Sequence, residues 1–247
     1  MKHGILVLLL IGVSAIHASA QTAYRLKGLV RSEAGKPVAG ATVKATAIHG
    51  FRGDQFVGQK DFAVSGDDKG EWNMLGLTAG IWRFTFSAPG MLPAVVVMPI
   101  KFSNRQMQSA QSGQLSWTLP VWLMPIDEHP ALHQAVPLVL EGRIVEALQF
   151  LAPALEPGAK PGLKLAAGEM SLLIDQWSLA QQLFAEVAKQ DPSNGRATFG
   201  LAGITLLRGD WEPAGKLLWT ARDLVPRDQR PALASAITEL QAIARTQ

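Results

Sequence analysis

Three pairs of residues in the C-terminal half of this chain stand one fixed interval apart. Trp177 and Trp211, Ala180 and Ala214, and Pro192 and Pro226 are each separated by 34 positions. An interval of that length holds one antiparallel helix pair with its turns, and its recurrence predicts hairpins that stack on one another. The matched residues are those such packing needs. An alanine early in the second helix lets it approach the first, a bulky residue four places on (Phe184, Leu218) fills the gap, and the proline stops the helix. An earlier unit fits with one residue fewer, which sets Ala147 and Leu151 opposite Ala180 and Phe184. Glycine and proline clusters at 156–162, 191–195 and 225–231 divide the units. Beyond them Leu233, Ile237, Leu240 and Ile243 make one apolar stripe, expected on a helix that covers the end of the stack.

Over about 128–226 this pattern resembles the tetratricopeptide repeat, although the tryptophan, leucine, glycine and tyrosine of the family's first helix are mostly replaced. The second unit keeps Gly168; the third has Leu201 but Ala202 and Thr205. The resemblance implies about three hairpins and a cap over 126–247, with the first helices lining a concave groove that takes a partner segment. In this register the groove residues are Leu132, Val136, Leu165, Glu169, Phe199 and Gly203, with Leu206 close by. The lining is mostly apolar and lacks the Lys and Asn residues that clamp a C-terminal carboxylate in some relatives. Two occupants suit it: an apolar partner segment, or the chain's own N-terminal domain.

The N-terminal half has a different period. Short runs rich in Val, Ile, Thr, Phe and Trp alternate with turn signals such as Gly66-Asp67-Asp68-Lys69-Gly70 and Thr78-Ala79-Gly80. Trp72 and Met74, then Trp82, Phe84 and Phe86, recur at every second position and are expected to share the core face. This predicts an antiparallel β-sandwich over 21–125. Ser103 to Gly113 is polar and reads as a surface loop before a last strand, Leu115 to Leu123; Pro125 to Pro130 marks the boundary with the helices.

Gly28-Leu29-Val30, Pro37-Val38-Ala39-Gly40-Ala41-Thr42-Val43, Asp68-Lys69-Gly70-Glu71-Trp72, Leu77-Thr78-Ala79-Gly80-Ile81-Trp82 and Pro89-Gly90 together resemble the carboxypeptidase regulatory-like domain. Trp72 and Trp82 stand where that family has Phe and Tyr. The resemblance covers about eighty residues and implies a transthyretin-like sandwich without catalytic residues of its own. The metallopeptidase domain that accompanies such modules elsewhere has no counterpart in the chain.

The first twenty residues read as a secretory signal: Lys2 and His3, an apolar stretch from Ile5 to Ile16, and Ala18-Ser19-Ala20 before Gln21. Cleavage after Ala20 predicts an exported protein, periplasmic or extracellular, with no transmembrane segment in the mature chain. Its 23 basic and 20 acidic residues become 22 and 20 once Lys2 is removed, and this balance gives no case for nucleic acid. The chain has no cysteine, which excludes disulfides, thiolate metal sites and a thiol nucleophile.

The search for chemistry is short. His129 and His133 are four apart but lack the glutamate of a zinc motif, and Asp127, Glu128 and Pro130 make the cluster an ordinary helix start. Asp67-Asp68-Lys69-Gly70-Glu71 reads as a hairpin turn rather than a calcium loop. Nucleophile-elbow, phosphate-loop and dinucleotide patterns are missing. Trp117 and Trp122 are candidates for stacking on a sugar ring. The expected function is therefore an exported, non-catalytic scaffold that binds a protein or peptide partner in the cell envelope and needs no metal or cofactor. The alternatives are a carbohydrate- or cell-surface-binding accessory module acting through the sandwich, and a metal-dependent hydrolase or its regulatory subunit.

Overall fold

A computed structural model describes residues 24–32, 34–50, 61–100, 115–116, 122–123 and 132–224, and beyond them 227, 230, 234, 237, 238, 240 and 241. The signal segment, the 103–113 loop and the boundary near 125 lie outside the described residues. Strands come first: β1 (Tyr24–Leu29), β2 (Arg31–Ser32), β3 (Thr42–His49), β4 (Asp61–Ser65), β5 (Glu71–Leu77), β6 (Gly80–Ser87), β7 (Ala94–Ile100), β8 (Leu115–Ser116) and β9 (Trp122–Leu123). Helices follow: α1 (Ala135–Leu140), α2 (Ile144–Leu151) continued by a 3-10 turn (Ala152–Leu155), α3 (Pro161–Leu173), α4 (Trp177–Gln190), α5 (Gly195–Leu207) and α6 (Trp211–Leu224).

One sheet runs β4-β3-β6-β7 and is antiparallel throughout. Another runs β5-β1-β8, and β2 pairs with β9. Of the expected last strand 115–116 and 122–123 are described, as β8 and β9, and both pair parallel, with β1 and β2 respectively. The antiparallel expectation therefore holds for β1 and β3–β7 but not for these two additions.

The period of two is realised in the register. Trp82, Phe84 and Phe86 of β6 lie opposite Ala47, Ala45 and Val43 of β3, so three large rings meet three small side chains on one face. That face meets β5, whose Trp72 ring lies 6.4 Å from Phe84 and 5.8 Å from Phe86. Trp72, Met74, Trp82, Phe84 and Phe86 are all buried. The indole of Trp82 donates to the Thr78 carbonyl at 2.8 Å, so its polar edge is satisfied inside its own hairpin. At the β4–β5 hairpin Asp67 Oδ1 accepts from the amides of Lys69 (2.9 Å) and Glu71 (2.8 Å), the hydrogen bonding of a turn.

In the helical region each hairpin turns through one residue with left-handed backbone: Gly142 (φ 74°), Asp175 (φ 57°) and Gly209 (φ 81°). Their spacings, 175 − 142 = 33 and 209 − 175 = 34, repeat the sequence period. Ala147, Ala180 and Ala214 are fully buried on the second helices. Phe184 of α4 is inserted between α3 and α5 at two glycines. A Cβ on Gly168 would stand 2.8 Å from its ring, and one on Gly200 would stand 2.6 Å away. The matched tryptophans differ in degree: Trp211 is buried and Trp177 is partly buried against the core.

Lys164 of α3 is 1% exposed, with its Nζ 2.5 Å from Glu186 Oε2 on α4. That hydrogen bond, then one from Gln182, holds the Glu186 carboxyl below its ordinary value. Its stabilising contribution is therefore complete above the unfolded value of about 4.3 and is lost as pH falls through the lower folded one. Glu186 is 37% exposed, so solvent screening keeps the effect near 1 kcal/mol. Urea unfolding of Glu186→Gln should show a loss of about that size at pH 7 and a smaller one near pH 3. Equal losses at both pH values would contradict the assignment.

Candidate partner-binding surfaces

The residues predicted to line the groove divide between two cores. Leu132 and Val136 pack with Leu92, α2, α3 and α4 in one. Leu165, Phe199 and Leu206 belong to the other, which is continuous with the core of the sheets. Leu165 and Phe199 are each 6% exposed and Leu206 is 0% exposed. These side chains are not a surface open to solvent, and of the two occupants considered the chain's own sheet is the one found there.

The geometry follows from the strand register. Trp82, Phe84 and Phe86 lie opposite Met98, Val96 and Ala94, which points those β7 residues inward. Val95 and Val97, opposite Thr85 and Arg83, therefore face the other way, toward α3 and α5. Val97 meets Gly203, where a Cβ would stand 3.3 Å from the valine's own. Beside it Ala94, Val95 and Val96 share a void of about 20 Å³ with Glu169, Phe184, Arg196, Phe199 and Gly200. Glu169 is 5% exposed. It is held by a two-pronged bond from Arg196, Nε to Oε1 at 2.6 Å and Nη2 to Oε2 at 2.7 Å. The carboxylate read from sequence as part of a groove lining thus ties α3 to α5.

A polar tie between sheet and helices is made by Arg83. Arg83 Nη1 donates to Asp175 Oδ1 at 2.5 Å and to the carbonyl of Leu172, near the end of α3, at 3.3 Å. The guanidinium adds favourable charge to a helix C-terminus. Asp175 also accepts from the Trp177 indole at 3.3 Å. This arrangement was missed from sequence because its partners are 92 positions apart.

The outer side of the stack carries a cleft of about 500 Å³ between α6 and the described residues Leu240 and Gln241, lined also by Trp211, Glu212, Lys216, Trp219 and Thr220. Trp219 is 51% exposed. The Arg222 guanidinium lies 3.8 Å from its ring centroid and is held in turn by Asp223 at 3.1 Å. Lys216 and Glu212 pair at 2.8 Å on the rim. No reading of the sequence picked out Trp219; the available signal was an aromatic on the polar side of the α6 pattern.

Of the remaining candidates, Trp117 lies outside the described residues, and the backbone of Trp122 pairs with Arg31. His133 is exposed, while His129 lies outside the described residues. Among the described residues no group of three or more His, Asp or Glu side chains is placed to hold a metal ion. No described helix is long and apolar enough to cross a membrane.

No family model matches the chain, and no curated protein matches it. Solved structures give partial likenesses. PcrH from Pseudomonas aeruginosa is similar at 19% identity over 47% of this chain and 89% of its own, with a TM-score of 0.39. PcrH in complex with the chaperone binding region of PopD is similar at 21% identity over 49% and 94%, with a TM-score of 0.40. Hydroxyquinol 1,2-dioxygenase from Pseudomonas putida DLL-E4 is similar at 18% identity over 33% of this chain and 40% of its own, with a TM-score of 0.27. Likeness of this degree assigns neither a family nor an activity.

Proposed function

We propose that this protein is an exported, non-catalytic scaffold that recruits a protein partner in the cell envelope. In this reading the sheets are a carboxypeptidase regulatory-like sandwich and the helices are tetratricopeptide hairpins, supported by the order of their motifs and by the 33- and 34-residue recurrence of the left-handed turn. Export rests on the leader-like first twenty residues.

The observation that carries the reading is the half-exposed Trp219 at the mouth of the outer cleft, fixed by Arg222. A large indole held in place in water is the composition of an interface hot spot, where tryptophan and arginine predominate. The cleft also falls within the usual range for binding sites, about 300–1,000 Å³. Its charged rim groups are paired with one another, which favours an uncharged apolar side chain of a partner.

Full-length protein recovered from the envelope, its mass beginning at Gln21, is the bait for affinity capture. Trp219→Ala should weaken partner binding about 30-fold, the equivalent of a 2 kcal/mol hot spot. Its melting temperature should stay close to that of the wild type, because the side chain is exposed. Capture of the same proteins by both forms would remove the cleft as the site. Retention of Met1 in a cytosolic pool would remove export.

A further inference from the structure

We propose that the groove between α3 and α5 is a binding site for an extended, uncharged, β-branched strand, that β7 is its resident occupant, and that Arg83 and Asp175 form the latch that keeps it there. The inference rests on the scaffold reading only for the existence of an outside partner; the latch stands on geometry alone.

The occupant defines the chemistry of the site. Leu92 to Ile100 contains no charged residue, and β7 is buried along its whole length. Its inward face belongs to the sheet core, so its burial on the other face is supplied by the helices. Gly203 admits the strand by leaving room for Val97. At the side of the groove Glu169 and Arg196 bind each other, so an uncharged segment can lie there without displacing water from a bare charge. Aliphatic side chains at alternate positions are what this lining accepts.

The latch has its own signature. The first and third hairpins turn at Gly142 and Gly209, whereas the second turns at Asp175, which can hold left-handed backbone and, unlike glycine, brings a carboxylate to the turn. That carboxylate accepts from Arg83 of the sheet as well as from the Trp177 indole beside it. Asp175 is 62% exposed, so salt and competing groups reach the pair. Opening need not break the sheet. Arg83 lies on β6, and β6 pairs with β7 from Gly80 to Phe86, so release of the latch would let β7 move away from the helices with its ladder to β6 intact.

The absence of cysteine makes the test direct. In full-length Val97→Cys protein the introduced thiol faces the helices and reacts with a maleimide only when the groove opens. Adding Arg83→Gln or Asp175→Asn should raise the labelling rate about fivefold, as expected for one partly exposed ion pair, and the two together should add little more. The same latch variants should bind a fluorescent peptide of sequence 91–101, given a solubilising lysine tail, more tightly than the wild type does. Gly203→Glu, which sets a charged side chain where Val97 sits, should raise labelling without touching the latch but take up no peptide, and circular dichroism confirms the fold of each variant. Equal labelling rates in wild type, latch variants and high salt would overturn the latch. Faster labelling without peptide binding by the latch variants, whose lining is intact, or peptide binding by Gly203→Glu as tight as theirs, would overturn the groove as a strand site. Neither result depends on Trp219, so failure of the outer cleft and failure of the latch are told apart.

Discussion

Replacing Phe184 by alanine is expected to lower the unfolding free energy by about 3–5 kcal/mol, the largest effect of any single truncation in the stack. The ring is 1% exposed and fills the space that three helices leave between them. Alanine removes the transfer free energy of the ring and leaves a cavity whose walls, α3 and α5, are braced by the Glu169–Arg196 bond and cannot collapse freely. Gly200→Val in the wild type should also destabilise, because its Cβ would fall 2.6 Å from a ring already pinned on the Gly168 side. The informative result is the double variant. With the ring gone, the valine has room, and it should recover about 1 kcal/mol or more. Urea titrations of the four forms give the cycle; strictly additive losses would show that Phe184 does not pack between the glycines.

Gly70→Ala is expected to cost about 3 kcal/mol or more, whereas Gly35→Ala, at nearly the same backbone angle, should cost only about 1 kcal/mol. Both residues have positive φ, 73° and 75°. They differ in what a methyl group would meet. At Gly35 nothing lies within 4 Å, while at Gly70 the Cβ would stand 2.7 Å from the Val30 carbonyl oxygen and 3.0 Å from that of Val38. Those atoms belong to a backbone lattice in which Val30 donates to Gly70 and Val38 donates to Val30, each at 2.9 Å. No rotamer change relieves the clash. Thermal unfolding of the pair separates the conformational cost from the steric one, and equal losses would mean that the loop yields.

How much of this was legible in the sequence depended on how far apart the interacting residues lie. The hairpins were readable because Ala147, Ala180 and Ala214 answer to contacts made within each helix pair, so the constraint recurs at a fixed spacing. Gly142, Asp175 and Gly209 carried the same spacing and went unread because an aspartate interrupts the two glycines. The core face of β5 and β6 was readable from alternation. What covers the groove was left open between the chain's own sheet and an outside segment, although a trace that favoured the sheet existed: Leu92 to Ile100 is apolar without alternation, the pattern of a strand buried on both faces. The Arg83–Asp175 bond left no trace, because neither residue departs from an ordinary surface pattern. The parallel pairing of β8 and β9 likewise depends on long connections that local propensity does not encode.

The position of β7 also sets a timetable. It is the edge of its sheet, and Ala94-Val95-Val96-Val97-Met98-Pro99-Ile100 is an uncharged, β-branched run of the kind that recruits other strands when bare. The helices that cover it, α3 and α5, are complete only at Leu207, 107 residues later. At the usual pace of synthesis that interval is on the order of ten seconds. During it each nascent chain carries an adhesive strand with no cover of its own, so the hairpins serve the sheet as a shield that arrives late. Crowded chains that emerge together are then most vulnerable before their helices exist, and the yield of folded protein becomes a matter of how densely the chain is made.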